Sequence, residues 1–214
     1  IVTYGGYEEA VKAAQSLLQH TKETELSLYL VDNASPDGTG ERLLQARWGP
    51  RVQVLHLPEN VGFGAGHNAV LPLLESKYHA VVNPDITLDE DAVSKLSLLA
   101  RQVPLACLKK TEDHYLMLDE DLTVPREIDF CTGCFFVVRT EVFRRMQGFD
   151  EGYFMYVEDA DITRKAQSYG KVYFTPCTHV YHAWHRSPNK SLKPFVRQIS
   201  SMLRYWRKWG FRLR

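Results

Sequence analysis

The sequence predicts an α/β fold, a mixed and mainly parallel sheet flanked by helices and followed by a C-terminal amphipathic helix. Three observations predict it. Strand-like apolar runs alternate with segments of helical period through residues 1–103. Turns built from Asp, Asn and Gly close successive strands and therefore gather at one edge of the sheet, where α/β folds collect their ligands. Segment 187–214 repeats large apolar residues at three- and four-residue spacing among Lys and Arg.

Taken in order, Val2-Thr3-Tyr4 reads as the end of a strand. Tyr7 to His20 carries Ala10, Val11, Ala14, Leu17 and Leu18 at helical spacing. Leu26 to Val31 is a β-rich run that stops at the dense turn Asp32 to Thr39. Gly40 to Trp48 follows as a helix, Val52 to Leu57 as a strand, and Ala65 to Leu74 as a helix introduced by the glycines of Asn60 to Gly66. His79 to Val82 is a short buried strand ending at Asn83-Pro84-Asp85, and Asp91 to Gln102 is helical with Val93, Leu96, Leu99 and Ala100 on one face. Right-handed β-α-β crossovers account for this alternation.

From Pro104 to Ile128 the pattern blurs into a polar, acid-rich segment with β-like pieces around Tyr115 to Leu118. Phe130 to Val138 is a strand interrupted by Gly133, Glu141 to Met146 a short helix, and Gly148 to Glu151 a turn. Ile162, Ala166 and Tyr169 recur at helical spacing before Gly170, so Glu158 to Asp161 form a first helical turn. Lys171 to Phe174 is a strand stopped before Pro176. The division expected is one domain over 1–186, in halves 1–103 and 104–186, and a basic helix over 187–214.

Composition narrows the function. With 214 residues, 44% hydrophobic and 24% charged, the chain can bury a substantial core. No apolar run is long enough to span a bilayer and no leader is visible. Four cysteines do not make a disulfide scaffold at this size, so a reducing cytoplasm is the expectation, and the single C-x-x-C pair Cys131/Cys134 is weak ground for zinc. Gly62-x-Gly64-x-Gly66 tempts a dinucleotide reading, but His67 stands where that fingerprint needs glycine. The formal charge of +0 hides an asymmetry, because no acid follows Asp161 while about a dozen Lys and Arg do.

Three carboxylates, Glu158, Asp159 and Asp161, crowd the start of one helix. Acids complement the dipole of any helix N-terminus at about 0.3–1 kcal/mol each. The sharper reading is a general base aimed into a cleft. His179, His182 and His185 do not share a face in a strand-like segment, which argues against a three-histidine zinc site.

Val31-Asp32-Asn33-Ala34-Ser35-Pro36-Asp37-Gly38-Thr39, Asn60 to Asn68, Asn83-Pro84-Asp85, Thr132-Gly133, Gly148 to Glu151, Glu158-Asp159-Ala160-Asp161 and Tyr181-His182 stand in the order in which a known family carries them. By these motifs the chain resembles the inverting family 2 glycosyltransferases of the GT-A fold, in particular the rhamnosyltransferases of bacterial surface polysaccharides. The resemblance implies a nucleotide-binding half over 1–103 and an acceptor and catalytic half over 104–186. It implies Asp159 as the base that deprotonates the acceptor hydroxyl, and Asp85 with His182 as ligands of Mg²⁺ or Mn²⁺. Thr3, Asp32, Asn33, Asn68, Asn83 and Arg164 would surround a dTDP- or UDP-sugar donor, with the Asp32 carboxylate accepting the pyrimidine N–H. Asn83 replaces the first acid of the family's D-x-D motif. The acceptor implied is a polyprenyl-diphosphate-linked glycan, with no nucleic acid partner.

In the tail, Phe195, Ile199, Met202, Trp206 and Trp209 form a stripe beside Lys193, Arg197, Arg204, Arg207, Lys208, Arg212 and Arg214. Such a stripe either packs on the catalytic domain or adsorbs to an anionic membrane surface, at about 1 kcal/mol per basic residue. The second reading expects a peripheral enzyme on the cytoplasmic face of the plasma membrane.

Overall fold

The computed structural model describes residues 1–107, 123–183 and 192–211. The β-like pieces expected around Tyr115, together with His185, Arg212 and Arg214, lie outside the described residues.

β1 (Val2–Thr3), α1 (Tyr7–His20), β2 (Leu28–Asp32), α2 (Thr39–Gln45) and β3 (Val52–His56) make two β-α-β crossovers, and their strands pair in parallel in the order β1-β2-β3. Thr3 lies level with Asp32, and Asp32 with His56. Three strand ends are thereby brought to one edge. α3 (Phe63–Asn68) is shorter than expected, since a 3-10 turn at Leu71–Leu73 replaces its second half. Pro72 has no N–H with which to continue the helix.

The second half contains β4 (Tyr78–Val82), β5 (Ile86–Thr87), α4 (Ala92–Leu99), β6 (Leu105–Cys107), β7 (Arg126–Glu127), β8 (Phe135–Arg139), α5 (Thr140–Arg145), α6 (Glu158–Gln167), β9 (Val172–Phe174), β10 (Tyr181–His182) and α7 (Leu192–Trp209). Its main sheet runs β4-β8-β6-β9-β7, parallel only between β6 and β9. Parallel pairing therefore dominates the first half alone. Parallel strands need long crossovers, and the regular strand–helix alternation ends after α4.

Both faces of these strands are covered, so successive side chains enter opposite cores. Phe135 and Val137 of β8 pack with Leu28, Leu30, Ala14 and Leu96, whereas Phe136 and Val138 pack with Val31, Phe143, Phe149 and Ile162. Each of these fully buried phenylalanines contributes roughly 1.5–3 kcal/mol. The second core carries α6, and with it the acidic turn.

α7 corrects the sequence reading of the tail. The side carrying Ser201, Arg204, Lys208 and Trp209 meets the catalytic domain, and the Phe195 and Ile199 part of the stripe does not. Arg204 and Lys208 bind Asp150 at 2.6 and 2.9 Å, Lys208 and Trp209 bind Asp161, Ser201 donates to the Met155 carbonyl, and Arg197 lies 4.1 Å over the Phe154 ring. The tail has no acids of its own, but the 150–161 segment supplies them. Phe195 and Ile199 of the stripe stay exposed. No helix among the described residues is long and apolar enough to cross a membrane.

Candidate active site

Two clusters of polar groups form where the strand ends converge. In the first, the turn after β4 sets Asp85, and antiparallel pairing of β10 with β5 brings His182 opposite Ile86. The Ala183 amide donates to the Asp85 carbonyl at 3.1 Å. His182 Nε2 consequently lies 3.0 Å from Asp85 Oδ1, with both side chains mostly buried. Two adjacent ligands about 2.1 Å from an octahedral cation also lie about 3 Å apart. His182 Nδ1 and Asn83 Oδ1 are buried without a hydrogen-bond partner. A hard divalent cation fits this pair of donors, although among the described residues no group of three or more His, Cys, Asp or Glu gathers as a complete site. His179 is turned away, towards Asp89 and Glu90 at 3.1 and 3.4 Å.

The second cluster is the first turn of α6. Tyr156 (φ 72°) and Val157 (φ 69°) both adopt left-handed backbone immediately before it. For a β-branched residue that is an outlier, and strain of this kind costs about 1–3 kcal/mol per residue and gathers at functional sites. α7 braces the kink from Met155 to Asp161. Beyond it, Thr163 Oγ1 donates to the Asp159 carbonyl at 2.7 Å and accepts from the Cys131 amide at 3.1 Å, which ties the 131–134 loop over the turn.

Under that loop Asp159 is largely enclosed. Burial pushes its carboxyl above the usual aspartate range, and the amides of Ala160 and Gly133 counter the rise only in part. Glu158 is pushed up to about 7, first by burial and then by the charge of Asp159, and its Oε2 has no partner. Asp161 is fully buried and satisfied by Lys208 and Trp209 at 2.9 and 2.7 Å, with the Tyr153 hydroxyl at 3.4 Å. Three neighbouring acids thus have three environments: one enclosed under an amide, one with an unpartnered buried oxygen and one in a buried ion pair.

The clusters are joined. The Asn83 amide donates to the Cys134 carbonyl at 2.9 Å, and a Cβ on Gly133 would stand 3.4 Å from the Asp159 Cβ. One short loop touches both the Asp85 turn and Asp159. The aromatic wall beside it is built by Phe63, whose amide donates to the Phe154 carbonyl, and by Gly62, where a Cβ would meet that carbonyl at 2.3 Å.

Several residues expected around a donor also make contacts within the scaffold. Asp32 is fully buried and accepts from the Ser35 amide and hydroxyl and from His56 Nδ1. Thr3 Oγ1 donates to the Gly5 carbonyl. Asn33 bridges to the Val61 amide and the Gly62 carbonyl, and so holds the glycine loop. Asn68 binds the amide and carbonyl of Phe149 together with Glu151. Arg164 lies beneath Trp209 and Tyr205, at 5.0 and 6.0 Å from their ring centres. Turn-forming Asn and Asp side chains bind their own loops as readily as a ligand. Sequence reading names Gly133 and Asp150 only within motifs and Lys208 only as a charge of the tail, and gives none of them a role at the site.

Residues 1–147 match the family described as glycosyl transferase family 2. Rhamnosyltransferase WbbL of Escherichia coli (strain K12) is 28% identical, over 67% of this chain and 69% of its own. The N-acetylglucosaminyl-diphospho-decaprenol L-rhamnosyltransferase of Mycobacterium tuberculosis (strain CDC 1551 / Oshkosh) is 25% identical, over 85% of this chain and 74% of its own. S. aureus TarS 1-349 in complex with UDP-GlcNAc superposes with a TM-score of 0.69 at 18% identity, and GalNAc-T7 with UDP, GalNAc and Mn²⁺ with 0.77 at 15%. The two superpositions cover 88% and 97% of this chain but only 58% and 47% of those structures, and they show the shared fold.

Proposed function

This chain belongs to glycosyltransferase family 2, and from that premise we propose that it transfers L-rhamnose from dTDP-β-L-rhamnose, with inversion, to a polyprenyl-diphosphate-linked glycan of a bacterial surface polysaccharide. The sugar is supported by both curated relatives, which carry rhamnose in their names. The lipid-linked acceptor is supported by the mycobacterial relative, named for a diphospho-decaprenol substrate.

The observation that carries the chemistry is the 131–134 loop, which joins the Asp85–His182 pair to Asp159. Asp85 and His182 would hold Mg²⁺ or Mn²⁺. Bound there, the cation supplies Lewis-acid neutralisation of the leaving diphosphate. The Asp159 carboxylate takes the proton of the acceptor hydroxyl as that oxygen attacks the anomeric carbon from the face opposite the diphosphate; the carbon–oxygen bond to the diphosphate breaks and the centre inverts. Asn83 stands beside the Asp85 turn, while Thr3, Asp32, Asn33 and Asn68 shape the loops that receive the nucleotide. The enzyme would act as a peripheral protein on the cytoplasmic face of the plasma membrane, where such acceptors are anchored.

Thermal unfolding of the purified protein against dTDP- and UDP-sugars, with and without Mn²⁺, tests this reading. A ligand at a hundred times its Kd stabilises by about 2.7 kcal/mol. Metal-dependent stabilisation by dTDP-rhamnose supports the proposal, and a response confined to UDP-sugars overturns the donor.

A further inference from the structure

The docking of α7 leaves its apolar side facing outwards. Leu192, Phe195, Val196, Ile199 and Leu203 are between 41% and 79% exposed along one side of the helix. The helix has no freedom to roll and bury them, because Ser201, Arg204 and Lys208 on the opposite side are fixed to Met155, Asp150 and Asp161. Monomeric proteins rarely present such a row of large aliphatic and aromatic side chains to water.

We propose that this face seats in the acyl region of a lipid bilayer, with α7 lying in the plane of the interface. An amphipathic helix that lies in an interface puts apolar side chains towards the acyl chains and polar ones away from them. Here Arg204 and Lys208 are already paired with Asp150 and Asp161, so apolar burial rather than their charge carries the contact. Trp206 lies towards the C-terminal end of the same helix, and such a ring favours the headgroup level. A second copy of the chain is a poorer occupant. Eighteen residues give a face about 27 Å long and about 10 Å wide, far short of the roughly 800 Å² per partner that a stable dimer buries. α7 rests directly on the segment that leads to Asp159, so the base would lie about one helix diameter, roughly 10 Å, from the lipid. That distance suits a lipid-anchored acceptor, and in this respect alone the inference rests on the function proposed above.

The test is co-sedimentation of the full chain with neutral phosphatidylcholine vesicles and with phosphatidylglycerol vesicles, at low and high salt. Wild type is expected to bind both, with less than about a twofold change on adding salt. The triple variant Phe195→Ser/Ile199→Ser/Leu203→Ser should bind at least about tenfold more weakly, and the single Phe195→Ser should fall between. Binding to anionic vesicles alone, abolished by salt, overturns the proposal in favour of charge. Unchanged binding by both variants overturns it too, as does a dimer in light scattering that the triple variant dissolves. Stabilisation by dTDP-rhamnose is measured on the same samples. Lost vesicle binding with intact donor response in wild type counts against the surface only, and the reverse pattern counts against the donor only.

Discussion

Lys208 closes on Asp161 from the last turn of α7, its ammonium 2.9 Å from a carboxylate that is fully buried two residues after Asp159. Breaking a buried pair leaves an uncompensated charge and costs about 3–5 kcal/mol, less when the cation is partly exposed and other donors remain, as Lys208, Trp209 and Tyr153 are. Lys208→Met is expected to lower stability by about 1–3 kcal/mol in urea unfolding. Asp161→Asn placed on that background should recover part of the loss, because no buried charge is then left unpaired. Simple additivity of the two changes would contradict the pairing.

Glu158 has the opposite linkage. Its carboxyl is raised to about 7, so the folded chain binds this proton more readily than the unfolded one. Its favourable contribution is present below about pH 4.5 and is lost as pH rises through 7. Glu158→Gln should therefore stabilise the protein at pH 8 and make little difference at pH 4. Melting temperatures across that range check the sign, and equal shifts at both ends would refute the buried, unpaired state of Glu158.

Gly62 combines φ 89° with a backbone neighbour only 2.3 Å from where a Cβ would stand. Gly62→Ala must move either its own loop or the Phe154 carbonyl, and a loss of about 2–4 kcal/mol is expected. Gly49 has open space around its Cβ position, so Gly49→Ala serves as the control in the same unfolding experiment.

Asp85→Ala is expected to abolish metal-dependent donor binding while leaving the fold intact, since the Ala183 amide bonds to the main chain of residue 85 and not to its side chain. Titration calorimetry with nucleotide sugar, with and without Mn²⁺, reads this directly. Unchanged metal-dependent affinity would remove Asp85 as a ligand.

Much of this arrangement was legible before the structure. α1, α4, α6 and β2, β3, β4, β8 follow from hydrophobic period, and Asp85, His182 and Asp159 are singled out through the family resemblance of their motifs. The rest depends on contacts that sequence does not order. Asp150 and Asp161 lie 58 and 47 positions from Lys208, and nothing local says that the Arg204 and Lys208 side of α7 faces inwards. The polar atoms of Asn33 and Asn68 face loops 28 and 81 positions away, a choice that only the assembled turns decide. Left-handed backbone at Tyr156 and Val157 carries no glycine signature, because the strain is held by packing against α7.

The base is the central claim, and Asp159→Asn tests it most directly. The amide keeps the size of the side chain and can still accept from Ala160, but it cannot take a proton. Turnover is expected to fall about 10²–10⁴-fold while the Kd for the nucleotide-sugar donor, measured by calorimetry, stays nearly unchanged. A variant that keeps wild-type turnover, or that loses donor affinity in step with turnover, would contradict the assignment of Asp159.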